Sequence, residues 1–173
     1  IKALEAGRTK YEPTAGTLEA RKAIADKLKR ENGLAYGPDQ VIISVGGKHA
    51  LYVAMMAVLN PGDEVVIPAP YWVSYPEMVK LAAGVPVVVK GDAKNNFRIS
   101  AEQLERAITG RTRMVIMNSP SNPGGHTYAP EELAALAKVI ARHEGLWVCS
   151  DEIYEHLLYG GQRTCSWAAV DWE

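Results

Sequence analysis

An acid and a phenol stand three residues apart in Leu146-Trp147-Val148-Cys149-Ser150-Asp151-Glu152-Ile153-Tyr154. Asp151 could keep a proton on the ring nitrogen of a buried cofactor, and Tyr154 could meet an adjacent phenolate oxygen, so the two together could grip one flat, polar ligand. The same residues have a plainer use, in which Ser150 or Asp151 caps a helix that follows a strand. Three other stretches suit the same kind of ligand. Gly46-Gly47-Lys48 stands between an apolar run and the start of a helix. Glycines there let a backbone approach closely, and the first N–H groups of the helix point outward with the positive end of its dipole, which suits an anion. Plain turn chemistry uses glycines in the same way. No glycine stands five before Gly47, so this is not a P-loop. Trp72 follows the breaker Pro68-Ala69-Pro70 and offers either a stacking platform or a packing anchor. Asn122 lies in Asn118-Ser119-Pro120-Ser121-Asn122-Pro123-Gly124-Gly125, a run too rich in turn formers to be regular.

These residues are placed by an alternation of strands and helices. Strands are expected at Val41–Val45, Glu64–Ile67, Val85–Val89, Arg113–Met117 and Leu146–Cys149. The last is an apolar run of the kind buried on both faces, and Pro86 favours a sheet edge for the third. Between and before them, helices are expected from the Thr17 cap to Glu31, from Ala50 to Asn60-Pro61-Gly62, after Trp72 through Lys80, from the Ser100 cap through Ile108, and over Pro130–Arg142. Leu18, Ile24, Ala25 and Leu28 mark the core stripe of the first, and Leu133, Leu136, Ala137 and Ile140 that of the last. Such an order predicts an α/β fold, a parallel sheet covered on both faces, with ligands at the carboxyl ends of the strands. Gly46-Gly47-Lys48, Trp72, Asn122, Asp151 and Tyr154 all fall at such ends.

Composition narrows the partners. A formal net charge of −1 offers no electrostatic basis for binding nucleic acid or an anionic membrane. No apolar run reaches membrane-spanning length, and Ile1-Lys2-Ala3-Leu4-Glu5 has no signal-peptide pattern. Cys149 and Cys165 form no C-x-x-C pair and are expected to be free thiols in a reducing, cytoplasmic compartment. The scattered histidines are expected to be surface or satisfied groups, and no metal site is expected. Neither end carries a recognisable terminal element, so the chain reads as a piece of something longer.

Taken together, the motifs resemble a known family. Tyr11-Glu12-Pro13-Thr14-Ala15-Gly16, Val45-Gly46-Gly47-Lys48, Pro61-Gly62-Asp63-Glu64-Val65, Pro70-Tyr71-Trp72, the Asn118–Gly125 run and Ser150-Asp151-Glu152-Ile153-Tyr154 occur in one order. The chain resembles the fold-type I pyridoxal-phosphate aminotransferases of class I/II, nearest the bacterial aspartate aminotransferases. The resemblance implies a three-layer α/β/α fold with a mostly parallel sheet, here incomplete, residues 1–173 being part of the large, cofactor-binding domain with the small domain absent. It implies a sheet order of 3-2-4-5-6-7-1, in which the first expected strand has no neighbour here and the fifth is an open edge. A polypeptide of this length is therefore expected not to be a stable monomer.

The roles it implies are specific. Gly46, Gly47 and Lys48 would hold the phosphate of pyridoxal phosphate, Trp72 would stack on the pyridine ring, and Asn122 and Tyr154 would bond the phenolic oxygen. Asp151 would pair with the ring nitrogen, which makes Asp151 and Tyr154 the expected catalytic residues. Trp72 and Asn122 would also touch the amino-acid and 2-oxo-acid substrates, and Tyr11 would reach the phosphate of a second subunit in a homodimer. The Schiff-base lysine of the family, in a downstream Ser-x-x-Lys segment, has no counterpart in this sequence, and Lys48 belongs to the phosphate turn rather than to that role. These 173 residues alone are thus expected to show no amino transfer. Gly124 stands where the family's Asn-Pro-Thr-Gly has threonine. Two other readings stay open: a non-catalytic module of this fold that binds a ligand or partner, and an unrelated α/β domain for a nucleotide.

Overall fold

Threonine caps the first long helix as its residue type predicts. A computed structural model describes residues 1–172 and divides at Gly46 into two units. The first holds a single turn, α1 (Lys2–Glu5), and α2 (Leu18–Asn32). The Thr17 hydroxyl accepts a hydrogen bond from the Ala20 N–H at 3.2 Å, and Gly33 ends α2 in the left-handed conformation at φ +72°. Of the expected stripe only Ala25 is buried, while Leu18 and Ile24 stay exposed. The strand expected at Val41–Val45 is not one. Val41 is extended, but residues 41–45 join no ladder among the described residues. The Ile43 N–H instead donates to the Ala15 carbonyl at 3.0 Å. Gly16, at φ +93°, makes room for that contact, since a Cβ there would lie 2.8 Å from Ile43 Cδ1. Apolar alternation supplies a face; only a partner supplies a ladder.

In the second unit four parallel strands, β1 (Glu64–Ala69), β2 (Val85–Lys90), β3 (Thr112–Asn118) and β4 (Trp147–Asp151), stand in the order β2-β1-β3-β4. This is the 3-2-4-5 portion of the expected order, with Pro86 on an edge strand as its missing N–H requires. Period-two alternation splits the sheet's side chains between two cores. Val65, Ile67, Met114 and Ile116 pack with Met55 and Leu59 of and beyond α3 (Gly47–Val58), and with Tyr75, Met78 and Val79 of α4 (Ser74–Leu81). Val66, Val115 and Met117 pack against Leu104 of α5 (Ala101–Ala107) and against Leu133, Leu136, Ala137 and Ile140 of α6 (Pro130–Ile140). Helices therefore cover both faces, and α6 buries the four residues that its spacing marks. Ser100 caps α5 with Gln103 returning the bond, a reciprocal capping box.

β4 takes the open-edge place that the expected strand order gives the fifth strand, and corrects the burial read from its apolar run. It is an edge strand whose residues are exposed or half-buried, with Trp147 exposed, rather than a strand buried on both faces. At the amino ends of the strands, buried Glu64 accepts hydrogen bonds from Thr109 Oγ1 at 2.6 Å and Arg111 Nε at 3.0 Å. The Thr109 hydroxyl and then the Arg111 guanidinium hold its carboxyl below the usual range. That anchor locks β1 to the turn before β3 and leaves the carboxyl ends of the strands for other work. No helix among the described residues is long and apolar enough to cross a membrane.

Candidate functional site

The register of β3 on β4 sets Asn118 directly opposite Asp151, each the last residue of its strand. Asn118 uses both ends of its amide. Its Nδ2 donates to the Asp151 main-chain carbonyl at 2.9 Å, and its Oδ1 accepts the Asn122 N–H at 2.8 Å. One side chain thus ties two strand ends to the loop that carries Asn122. The Asp151 carboxylate is held at both oxygens: Oδ1 accepts the Ile153 N–H at 3.2 Å, and Oδ2 accepts the Tyr75 hydroxyl at 2.7 Å. Beyond it the chain turns, with the Glu155 N–H donating to the Glu152 carbonyl at 3.0 Å. That turn returns Tyr154 toward Asn122, whose Nδ2 donates to the Tyr154 oxygen at 3.5 Å. Glu152 fixes the following loop by accepting from Ser150 Oγ, Ser166 Oγ and the Trp167 N–H.

These groups meet in a cavity of about 420 Å³. Gly47, Lys48, Trp72, Asn122, Asp151 and Tyr154 all line it, joined by Tyr75 and Asn118. Gly47 and Lys48 are the first residues of α3, where main-chain N–H groups have no helical partner. A Cβ on Gly47 would meet nothing within 4 Å, so the helix start is bare. Gly46 is not in the lining; its φ of +104° is a conformation that favours glycine. Tyr11, in the first unit, is fully exposed. Lys48 Nζ sits 4.9 Å from the Trp72 ring centroid, a cation over an indole. Tyr75 meets the same indole edge-on, with ring centroids 5.6 Å apart at 89°. Burial, then the bond to Asp151, drives the Tyr75 phenol upward, so its hydroxyl keeps its hydrogen. Under the cavity, burial pushes the Cys149 thiol up to about 11, which leaves it a packing group rather than a nucleophile.

Tyr75 and Asn118 are the members of the site that residue types and spacing do not pick out. Asn118 had a signal, a polar amide closing an apolar strand. Tyr75 had a weaker one, its place three residues after Trp72 on one helix face.

The loop explains its own departure from the family pattern. A Cβ on Gly124 would lie 2.6 Å from His126 Nδ1, so the ring of His126 takes the space that a larger residue at 124 would need. His126 is buried and its Nδ1 has no hydrogen-bond partner, which corrects the expectation of a surface or satisfied histidine. Burial, then the charge of Arg98, lowers its proton affinity. Two results are expected. Gly124→Thr should cost about 1–3 kcal/mol of stability through overpacking. Most of that loss should disappear when His126→Ala is added, a coupling readable by a double-mutant cycle in denaturant. Separately, an unfolded histidine takes up a proton near pH ~6.5 while the folded one resists it, so stability is full above that pH and falls as pH drops below it. Replacing His126 by glutamine should remove a slope of at most about 1.4 kcal/mol per pH unit in that range. Parallel pH profiles for both proteins would show that His126 carries no such linkage.

Comparison with known proteins shows the family and the fold. The family profile for aminotransferase class I and II matches residues 2–172. The chain is 55% identical over 158 residues to an aspartate/prephenate aminotransferase of Cereibacter sphaeroides, covering 91% of this chain and 40% of that protein. To an aspartate aminotransferase of Geobacillus stearothermophilus it is 54% identical over 170 residues, covering 98% and 43%. The crystal structure of the Rhizobium meliloti aspartate aminotransferase superposes with a TM-score of 0.94 at 47% identity, covering 98% of this chain and 42% of that one. The chain thus spans less than half the length of the relatives it matches.

Proposed function

The chain belongs to the class I and II aminotransferases, and from that premise we propose that residues 1–173 form the cofactor-binding part of an enzyme moving an amino group between an aspartate-type L-amino acid and a 2-oxo acid. The cofactor of this reading is pyridoxal phosphate, and the site's donor set fits it. A bare helix start suits a phosphate, an amide and a phenol 3.5 Å apart suit a phenolic oxygen, an indole suits a flat ring, and a carboxylate suits a protonated ring nitrogen.

When bound, pyridoxal phosphate supplies an electron sink for the carbanion left as an amino acid loses its α-proton. The side chains described above bind and orient. The N–H groups of Gly47 and Lys48 would hold the phosphate, Trp72 would flank the ring, and Asn122 and Tyr154 would bond the phenolic oxygen. Asp151 would accept from the ring N–H and so keep that proton in place, which would give the sink its charge. Tyr11 is exposed and thus available to a second copy of the chain, in keeping with a homodimer.

The observation that carries the proposal is the Asp151 carboxylate, held at both oxygens and lining a cavity shared with Trp72 and Tyr154. Titrating the full chain with pyridoxal phosphate should quench indole fluorescence, and Trp72→Ala should remove most of the quench. In the complete protein, aspartate should pass its amino group to 2-oxoglutarate. Binding of pyridoxal phosphate without amino transfer in the complete protein would favour a non-catalytic module, and no binding at all would end the reading.

A further inference from the structure

Tyr75 is buried in α4 and is joined to Asp151 across 76 residues of sequence by a 2.7 Å hydrogen bond. Phenylalanine would fill the same core and meet Trp72 edge-on equally well, so packing does not account for the hydroxyl. A phenol has one hydrogen to give, and here it goes to Oδ2 of Asp151. A donor fixed on a carboxylate oxygen favours the charged form over the neutral acid. When that carboxylate pairs with a ring nitrogen, the two arrangements in competition are N–H with carboxylate and bare N with carboxylic acid. Resting on the cofactor reading above, we propose that Tyr75 is a positioning residue that decides where this proton sits: its hydrogen bond fills Oδ2 of Asp151 with a donor, so the carboxyl group is left to act toward the ring only as an acceptor and the proton stays on the ligand. The other titratable groups near Asp151 are Cys149 on its own strand, Glu152 and Tyr154 just beyond it, and Lys48 from α3. None of them donates to Oδ2 among the described residues. Burial and the adjacent carboxylate keep the phenol itself protonated, so the donor is permanent.

The test uses the deoxy analogue of pyridoxal phosphate, with a methyl group for the aldehyde and a nitrogen-15 label in the ring, bound to the full chain. Nitrogen NMR reads the ring proton directly, without any turnover. In the unmodified protein the ring nitrogen should be protonated at neutral pH. Tyr75→Phe should move its signal toward that of a neutral pyridine. It should also shift the acid limb of analogue binding upward by roughly one to two pH units, the size of one charge-assisted hydrogen bond. Incorporating 3-fluorotyrosine at position 75 makes a stronger donor without disturbing packing, and should move the acid limb the opposite way. This arm also decides the matter if the phenylalanine variant fails to fold. Identical nitrogen signals and binding profiles in all three proteins would overturn the role of Tyr75 while leaving the cofactor site intact. Failure of the unmodified protein to bind the analogue would overturn the cofactor reading, and this inference with it.

Discussion

Replacing Asp151 by alanine in the complete enzyme should lower turnover at least about a hundredfold, the scale on which removing one fixed charge-stabilising group acts. The alanine variant has a second defect, because it leaves the buried Tyr75 hydroxyl without its acceptor, at a cost of about 1–3 kcal/mol. Asparagine separates the two effects. Its amide oxygen can still accept from Tyr75, yet an uncharged group cannot hold a proton on a ring nitrogen. Asp151→Asn should therefore keep most of the fold's stability in a denaturant melt and still lose turnover at least about a hundredfold. The loss should fall on kcat as well as on kcat/KM, since the interaction is strongest where charge develops. Near-normal turnover of the enzyme carrying Asp151→Asn would refute the assignment of Asp151 to the ring nitrogen.

The second large effect is expected at Asn118, which touches no ligand in the reading above. Its amide makes two hydrogen bonds, to the Asp151 carbonyl and from the Asn122 N–H. Asn118→Ala removes both, worth together about 1–3 kcal/mol. Because those bonds aim Asp151 and Asn122 into one cavity, the loss should appear as roughly 10–100-fold weaker binding of pyridoxal phosphate. Asn118→Asp is the informative companion. It keeps the acceptor for the Asn122 N–H but turns the donor into a second acceptor facing the Asp151 carbonyl. It should bind worse than wild type even though the loop bond survives. Unchanged cofactor affinity in both variants would mean that the strand ends and loop hold their places without this clamp.

Much of the candidate site's lining is legible in the sequence alone. Strand ends in an α/β order are where ligands bind, and the glycine, polar and aromatic residues expected at those ends include Gly47, Lys48, Trp72, Asn122, Asp151 and Tyr154, which line one cavity. Helix limits were legible for a local reason. Thr17, Ser100 and Gly33 act on backbone groups within a few residues of themselves, so their effect is written in the same short stretch that forms the helix. The core face of α6 followed from spacing alone, because one apolar stripe on a helix has one place to go.

What only the tertiary structure decided depends on partners distant in sequence. Val41–Val45 reads as a strand without a neighbour, and only the structure shows where its backbone turns instead, the Ile43 N–H going to Ala15. Leu146–Cys149 reads from its own residues as fully buried, yet a strand's burial depends on its neighbours on both sides; the edge position of β4 follows from the strand order that the resemblance implies, not from the apolar run. His126 fills the space beside Gly124, so the departure from Asn-Pro-Thr-Gly is matched by a neighbour that the sequence order alone does not place there. Tyr75 and Asp151 stand 76 residues apart, and their bond exists because α4 packs its buried face onto the sheet at the height where β4 ends. Periodicity tells which face a residue takes; the depth at which two elements pack, which sets who donates to whom, is a property of the assembled layers.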